Sequence, residues 1–170
     1  MGGQQRSLGE WAVLGLLAEE AAHPFALARS LGRTRSPGRV LTVPRPLVYR
    51  AVDRLLEAGL IERDRIEPGE AGPERTVYRI HERGRAALDN WLREPVPHIR
   101  DIRLAFLLKV ELLRRSGSSV GELARAQQAA LASTLDGLAR LPDDPDVAEL
   151  WRHHNAAATA AFLEALAAGR

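Results

Sequence analysis

The chain has 170 residues, of which 45% are apolar and 27% charged, a composition typical of a soluble globular protein that buries a core. It contains no cysteine, which excludes disulfides and thiolate metal sites, and its net charge of +2 gives no indication of nucleic-acid binding. Because no apolar run is long enough for a bilayer or precedes Ser7 as a signal peptide would, we expect a cytoplasmic protein that does not contact a membrane.

The first predicted helix begins at Ser7, because Ser7 and Glu10 have the spacing of a capping box, and it extends to about Glu20. Its apolar residues cover almost the whole circumference: Trp11, Val13, Leu14, Leu16 and Leu17. A helix that is apolar all round must be buried on more than one side. We therefore expect this helix to contact its own domain and also a second element or subunit.

Two further helices are predicted before residue 60. One extends from Phe25 to about Arg33, and its apolar positions are Phe25, Leu27, Ala28 and Leu31. The other begins near Pro44, because proline is tolerated at a helix start, and it ends at Gly59, since glycine is favoured just past a helix end.

The third helix is predicted to have one buried face and one basic face. At about 100° per residue, its buried stripe consists of Val48, Val52, Leu55 and Leu56. Arg50 and Arg54 lie on the opposite face, Tyr49 lies on the flank, and Arg45 projects from the first turn. The stretch from Arg29 to Arg54 contains seven arginines and a single acid, Asp53.

A β-hairpin follows the third helix. The strands are predicted at Ile61–Ile66 and Thr76–Ile80, because both stretches are rich in β-branched or aromatic residues, and Pro68–Pro73 is the turn region between them. The hairpin carries four arginines: Arg63, Arg65, Arg75 and Arg79. A helix resumes at about Glu82 and stops at Pro95.

This order of elements, two helices, a basic helix and a hairpin, is that of a winged helix-turn-helix, whose third helix enters the major groove of DNA. The predicted DNA contacts are Arg39, Arg45, Tyr49, Arg50, Arg54, Arg75 and Arg79. Arginines of the third helix can discriminate bases by about 1–3 kcal/mol, and arginines of the wing contribute salt-dependent affinity through phosphates. The alternatives are a half-buried flank position for Tyr49, a solvated helix face for Arg50 and Arg54, and a sheet-covering role for one set of wing residues.

The Pro95–Pro97 stretch predicts a boundary between a winged-helix domain, residues 1–94, and a helical domain, residues 95–170. The last predicted helix has a long, regular apolar stripe: Val147, Leu150, Trp151, His154, Ala158, Ala161, Phe162 and Ala165. Because such a stripe must be covered, the second domain is interpreted as a dimerisation domain. The predicted fold is therefore mostly α-helical, with a small β-hairpin wing and a C-terminal helical dimerisation domain.

The second domain is predicted to contain three helices. The first extends from Arg100 to Arg115, and the second is opened by a capping box at Ser119–Glu122. The Pro142–Pro145 stretch ends the second helix and caps the third, so its two acids are interpreted as a turn and N-cap and not as a catalytic pair. His154, on the apolar stripe, is interpreted as a buried histidine and not as a metal ligand, because no third ligand follows at helical spacing.

Several stretches of the chain resemble the PadR family of bacterial transcriptional regulators. The similar stretches are Leu14–Leu17, His23–Ala28, Leu47–Ile61 and Glu74–Ile80, with Gly84-Arg85 and Trp91, and more weakly Arg103–Lys109. The resemblance implies a dimer, in most members a repressor, whose C-terminal helices pair with the partner subunit and which in some members responds to small aromatic or cationic effectors. The chain departs from the family pattern at Pro46–Val48, where a small Gly-Ser or Gly-Thr pair is usual, and at His81, a poorer helix cap than the usual threonine.

The leading hypothesis is thus a dimeric, cofactor-free repressor that binds a near-palindromic operator, with its two recognition helices about 34–36 Å apart. A small-molecule effector at the dimer interface is a further hypothesis, with Trp11 and Trp151 as candidate contacts and core packing as the alternative for each. A winged-helix module that binds protein and not DNA is the competing hypothesis. An enzyme is not expected, because the sequence contains no nucleophile–base pair, phosphate loop or metal constellation.

Overall fold

The computed structural model of the protein describes residues 6–68 and 74–169. The chain divides into two compact units, Met1–Trp91 and Leu92–Arg170. Of the predicted Pro68–Pro73 turn, residues 69–73 lie outside the described residues. In the described part of the chain, no helix combines the length and the apolar character that crossing a membrane requires.

The first unit contains helices and one hairpin in the predicted order. Its elements are α1 (Leu8–Glu19), α2 (Pro24–Ser30), α3 (Arg45–Glu57), β1 (Ile61–Glu67), β2 (Arg75–Ile80) and α4 (Glu82–Arg93). Helix α3 packs on α1 and α2, and the hairpin follows directly after it. This arrangement confirms the predicted fold class, a mostly α-helical chain with a small antiparallel wing.

Helix α1 begins as the sequence predicts, since Ser7 Oγ accepts a hydrogen bond from the Glu10 N–H at 3.3 Å. Every residue from Glu10 to Leu17 is buried within the single chain. The Trp11 ring stacks on Trp91, with centroids 4.8 Å apart and planes only 9° from parallel. The all-apolar circumference is therefore covered by the chain's own elements, so of the two predicted alternatives, a second element or a second subunit, α1 uses the first.

Helix α2 is shorter than predicted and ends at Ser30 and not near Arg33. It is capped by His23, whose Nδ1 accepts a hydrogen bond from the Ala26 N–H at 3.1 Å. The carbonyl of Leu31 accepts from the Val43 N–H at 3.1 Å, so the chain turns toward α3 instead of continuing the helix. The loop after α2 is tightly packed, because a Cβ at Gly38 would lie 2.0 Å from the carbonyl oxygen of Gly32.

Helix α3 is bounded by the residues that the sequence indicates. Pro44 occupies the N-cap, and Gly59 follows the helix with a φ of +65°, a left-handed conformation that favours glycine. The buried face consists of Val48, Ala51, Val52 and Leu55, with Leu56 half-buried beside them. This face matches the predicted stripe and leaves the arginine-bearing face of α3 exposed.

The wing is an antiparallel pair whose register runs from Ile61 opposite Ile80 to Glu67 opposite Arg75, with an irregularity between Arg63 and Arg65. Each strand includes one residue more than predicted. Outside the hairpin, Ala22 pairs with Tyr78 through two backbone hydrogen bonds of 2.9 and 3.0 Å. The segment that leads into α2 is thereby attached to β2.

Helix α4 lies against the corner between α3 and β1. A Cβ at Gly84 would lie 2.1 Å from the Leu60 carbonyl oxygen, so only glycine permits this approach. The same carbonyl accepts a hydrogen bond from the His81 N–H at 2.9 Å. His81 also caps the helix, since its Nδ1 accepts from the Arg83 N–H at 3.2 Å, the bond that a threonine hydroxyl would otherwise provide.

The second unit is entirely helical over its described residues. It contains α5 (Ile99–Asp101), a π-helical segment (Ile102–Phe106), α6 (Leu107–Arg115), α7 (Gly121–Ala139) and α8 (Val147–Ala167). Its core surrounds Phe106, Leu131 and Leu163, all fully buried, and Phe106 contacts Phe162 edge to face at 6.4 Å. The helix predicted from Arg100 to Arg115 is therefore interrupted by one wider π turn.

Two predicted caps in this unit were wrong. Val120, and not Ser119, occupies the N-cap of α7, and its helical backbone angles (φ −81°, ψ −23°) differ from the extended conformation that lets a serine cap a helix. The cap of α8 is Asp146, one residue beyond the predicted Pro142–Pro145 stretch. Its Oδ1 accepts from the Glu149 N–H at 2.7 Å, and Glu149 Oε2 accepts in return from the Asp146 N–H at 2.9 Å.

The segment after α4 is held by two buried polar side chains of this unit. Gln127 Oε1 accepts from the Val96 N–H at 2.7 Å, and Gln127 Nε2 donates to the Val96 carbonyl at 2.8 Å. Lys109, only 2% exposed, donates through Nζ to the carbonyl of Glu94. Burial lowers the pKa of Lys109 to about 8, and the charge of Glu94 opposes this shift.

Candidate nucleic-acid interface

The exposed face of α3 presents Arg45, Tyr49 and Arg50 to solvent. Leu47, in the same first turns, is also exposed. Because Pro46 and Leu47 replace the small pair usual in the resembled family, this end of the helix is bulkier than the family pattern implies. The three polar side chains nevertheless lie where the groove-facing residues of a recognition helix are expected.

Arg45 is held by two aromatic rings. Its guanidinium carbon lies 5.0 Å from the centroid of Phe25 and 5.6 Å from that of Tyr49, within the range of cation–π attraction. Its Nη2 also donates a hydrogen bond to the Tyr49 hydroxyl at 3.4 Å. The side chain of Arg45 is therefore fixed at the start of α3 without a carboxylate.

The wing contributes a second arginine to the same place. The guanidinium carbon of Arg75, the first residue of β2, lies 5.7 Å from the centroid of Phe25. Phe25, Arg45, Tyr49 and Arg75 all line one cavity of about 480 Å³ that lies among α2, α3 and β2. The structure thus brings together three of the seven predicted DNA contacts.

Phe25 is a candidate functional residue that the sequence analysis missed, because it was assigned to the apolar face of α2. Its side chain is 37% exposed, whereas Leu27 is buried. On a helix, residues two apart differ by about 200°, so Phe25 and Leu27 cannot share one buried face. That angular difference was the available signal.

Arg54 is placed differently from the other predicted contacts of α3. Its Nη1 donates to Glu10 Oε1 at 3.1 Å, and the Glu10 side chain is 9% exposed. The Glu10 carboxylate therefore neutralises Arg54 and links α3 to α1. Arg50, one turn earlier, and Arg39, in the loop before α3, are both exposed and form no ion pair among the described residues.

The arginines along the wing are paired with carboxylates of the same hairpin. Arg79 Nη2 lies 2.8 Å from Glu62 Oε1, and Arg79 Nε lies 3.6 Å from Asp64 Oδ1. Arg65 contacts both Glu67 and Asp64, and these hydrogen bonds raise the pKa of its guanidinium further above its usual range. Of the two predicted wing contacts, Arg79 is compensated within the hairpin, whereas Arg75 forms no ion pair with any residue that the structure describes.

The two candidate effector contacts lie in separate units. Trp11 is nearly buried against Trp91, and the guanidinium carbon of Arg6 lies 5.4 Å from its ring centroid. Trp151, near the start of α8, is 69% exposed. Over the described residues, no group of three or more histidines or acids is arranged to hold a metal ion.

Helix α8 has two apolar faces, and the N-terminal part of the predicted stripe faces away from the core of its own unit, whereas Phe162 of the same stripe packs against that core. The buried face consists of Ala156, Thr159, Leu163 and Leu166. Val147 is 84% exposed and Leu150 and Trp151 are also exposed, although all three belong to the predicted stripe. The buried position inferred for His154 was wrong, since its side chain lies on this exposed face.

Taken together, α1 to α3 followed by the hairpin define a winged helix-turn-helix, a class of DNA-binding fold. Residues 13–90 match the model of the Transcriptional regulator PadR-like family. The match lies within the first unit and makes that unit similar to a family described as transcriptional regulators. The resemblance predicted from the sequence is thereby confirmed over residues 13–90, and a family of transcriptional regulators agrees with the expectation that the protein is not an enzyme.

Three solved structures are similar to the chain along nearly its whole length. Bacillus subtilis PadR in complex with operator DNA is 19% identical, with 95% of this chain and 98% of that chain covered and a TM-score of 0.48. The Streptococcus mutans UA159 protein smu.1604c is 16% identical, with 92% and 96% covered and a TM-score of 0.46. A second structure of Bacillus subtilis PadR is 15% identical, with 99% and 97% covered and a TM-score of 0.44. No curated protein matches the chain in sequence.

Proposed function

We propose that the protein is a cytoplasmic, homodimeric repressor that binds a near-palindromic DNA operator through α3 and the wing. The observation that carries this proposal is a set of exposed arginines of the first unit that form no ion pair among the described residues: Arg39, Arg45, Arg50 and Arg75. Such a set attracts the phosphate backbone and can reach base edges from a recognition helix. The unit up to Trp91 would bind DNA, and the unit from Leu92 would dimerise.

The test of DNA binding is fluorescence anisotropy with the fragment that lies upstream of the protein's own gene, at 50 to 300 mM salt. We expect affinity in the range of about 10⁻⁸ to 10⁻¹⁰ M at moderate salt, at least about 1,000-fold tighter than for a scrambled fragment. Footprinting would then show two half-sites about one helical turn apart. The proposal fails if neither the upstream fragment nor any DNA fragment that co-purifies with the protein binds in a salt-dependent manner. The protein-interaction module then becomes the better hypothesis.

Dimerisation is supported by the exposed apolar face of α8, which includes Val147, Leu150 and Trp151. Monomeric proteins rarely leave a large contiguous apolar patch uncovered. In sedimentation velocity, we expect a dimer for the wild type and a shift toward monomer for Trp151→Ala. Arg152→Ala is the matched control, because Arg152 is exposed on the same turn but lies outside the stripe. Equal dimer fractions in the two variants would contradict the assignment of this face.

Release by a small aromatic or cationic effector completes the proposal. Its support is the exposed ring of Trp151, since flat aromatic and cationic ligands stack on indole. Adding such ligands to the operator complex should lower the anisotropy in the wild type and have a smaller effect in Trp151→Leu. A ligand that releases both proteins equally would place the effector site elsewhere.

A further inference from the structure

Phe25 is in contact with two arginines that come from different elements. The ring belongs to α2, Arg45 belongs to α3, and Arg75 belongs to β2. The two guanidinium carbons lie 5.0 and 5.7 Å from the ring centroid. One aromatic side chain thus links the recognition helix to the wing.

Backbone hydrogen bonds between the segment before α2 and β2 bring Phe25 close to Arg75. Ala22 and Tyr78 are paired antiparallel by two hydrogen bonds. Phe25 follows Ala22 by three residues, and Arg75 precedes Tyr78 by three residues. The bridge holds the start of α2 beside β2, and from the first turn of α2 the Phe25 ring reaches Arg75, the first residue of β2.

A ring holds an arginine in a different way from a carboxylate. The attraction between a cation and an aromatic face fixes the guanidinium but leaves its full positive charge and its edge N–H donors available. Asp53 and Glu74 also line the cavity, yet neither forms an ion pair with Arg45 or Arg75 among the described residues. Two charges that no described carboxylate compensates are therefore held on one ring at an exposed part of the unit.

We propose that Phe25 is a positioning residue that holds Arg45 and Arg75 as a pair for phosphodiester groups of the DNA backbone. The ligand chemistry is that of phosphate oxygens, which planar guanidinium groups bind through two parallel hydrogen bonds. This inference rests on the proposed function, because it assumes that the first unit binds duplex DNA. In this role Phe25 does not contact DNA itself. It fixes the positions of Arg45 and Arg75, so that α3 and the wing bind neighbouring phosphates of the DNA backbone.

The experiment measures operator affinity and its salt dependence for Phe25→Leu, Phe25→Tyr and the wild type. Phe25→Leu keeps an apolar side chain but removes the aromatic face, and we expect affinity to fall about 10-fold, because the two arginines of each subunit must then be ordered on binding. The slope of log affinity against log salt should become shallower, by at most about 0.9 for each phosphate that is no longer neutralised. Phe25→Tyr keeps the aromatic face and should therefore bind within about 3-fold of the wild type.

A double-mutant cycle separates positioning from a merely structural role. In the Arg45→Gln/Arg75→Gln background, Phe25→Leu should cost less than about 2-fold in affinity and leave the salt slope unchanged, since the groups it positions are absent. The same loss in both backgrounds, or no loss in either, would overturn the inference. Thermal unfolding of each variant identifies a folding defect, and in that case the Phe25→Tyr variant and the salt slope still decide the question.

The same measurement distinguishes the role of Phe25 from the proposed function. If the wild-type protein binds no duplex DNA, the proposed function fails and the role of Phe25 fails with it. If the wild type binds and Phe25→Leu matches it in affinity and salt slope, only the role of Phe25 is wrong.

Discussion

Two groups of exposed arginines in the first unit differ in what holds them. Arg45 and Arg75 lie against the ring of Phe25, whereas Arg65 and Arg79 lie against carboxylates of the wing. Both groups contribute equally to a count of basic residues. Only the first retains its charge for an incoming anion, because a carboxylate within about 3 Å cancels most of the field of its partner. The net charge of the chain therefore says less about DNA binding than the identity of each arginine's neighbours.

The largest change in operator affinity should come from replacing the arginine pair that lies against Phe25. We expect Arg45→Gln/Arg75→Gln to lower operator affinity at least about 100-fold in 0.15 M salt, since both subunits of a dimer are deprived of two uncompensated cations. Arg65→Gln/Arg79→Gln removes the same formal charge and should cost less than about 3-fold, because those arginines are already compensated. Anisotropy titrations of the two proteins in parallel measure the difference, and equal losses would show that the neighbours of an arginine do not decide its use.

The ion pair between the buried Glu10 and the exposed Arg54 extends the comparison to stability. Arg54→Leu leaves the Glu10 carboxylate buried without its partner, and we expect a loss of about 1–2 kcal/mol in the free energy of unfolding. Arg50→Leu is the control on the same face of α3, where no ion pair is removed, and should change stability by less than about 0.5 kcal/mol. Urea denaturation of both variants provides the measurement. Equal stabilities would show that the Glu10–Arg54 pair contributes nothing.

Lys109 is a cation held by a backbone carbonyl, a third kind of partner. Its folded-state pKa of about 8 lies below the usual 10.5, so between these values the folded protein binds fewer protons than the unfolded chain. Stability should therefore rise with pH above about 8, by about 2 kcal/mol up to pH 10. Lys109→Met should lack this rise. Denaturation at pH 7.5 and pH 10 compares the two proteins, and parallel pH dependence would contradict the assignment.

The smallest change in DNA affinity should come from removing the carboxylates that neutralise an arginine of the wing. Glu62→Gln/Asp64→Asn removes both carboxylates that face Arg79. We expect affinity for DNA of any sequence to increase about 3-fold, with a steeper salt dependence, because Arg79 then becomes available to phosphate. Glu82→Gln, at the start of α4, is a control for the loss of one negative charge outside the wing. An unchanged salt slope in the wing variant would mean that Arg79 cannot reach DNA.

The boundaries of most elements could be predicted from the sequence because they depend on local chemistry. Pro44 and Gly59 bound α3, and Ser7 caps α1, each through interactions within a few residues. The partners of the arginines could not be predicted in this way. The Glu10–Arg54 pair joins residues 44 positions apart, and its formation depends on how α1 and α3 cross.

The face of α8 that packs into the core also could not be predicted from the sequence. Its sequence contains many alanines, so more than one face satisfies an apolar repeat of three and four residues. The prediction followed the bulky residues Val147 and Trp151, whereas the core of the unit uses Ala156 and Leu163. Small residues allow the close approach of α7 and α8, and that fit is a property of two helices together. For Phe25, the sequence could indicate exposure through its angle to Leu27, but the two arginines that contact its ring depend on the packing of α2 on α3 and β2.

The bridge between Ala22 and Tyr78 has a mechanical consequence. A hairpin attached only at its two ends can rock as a flap, but β2 shares two hydrogen bonds with the segment that leads into α2. Rocking at Tyr78 would break both bonds, so bending is confined to the part of the wing beyond them. The amides of Ala22 and Tyr78 should then exchange with deuterium more slowly than the amides of the wing that lie beyond them. A displacement of β2 at Tyr78 would therefore also displace the start of α2, because the two hydrogen bonds join them.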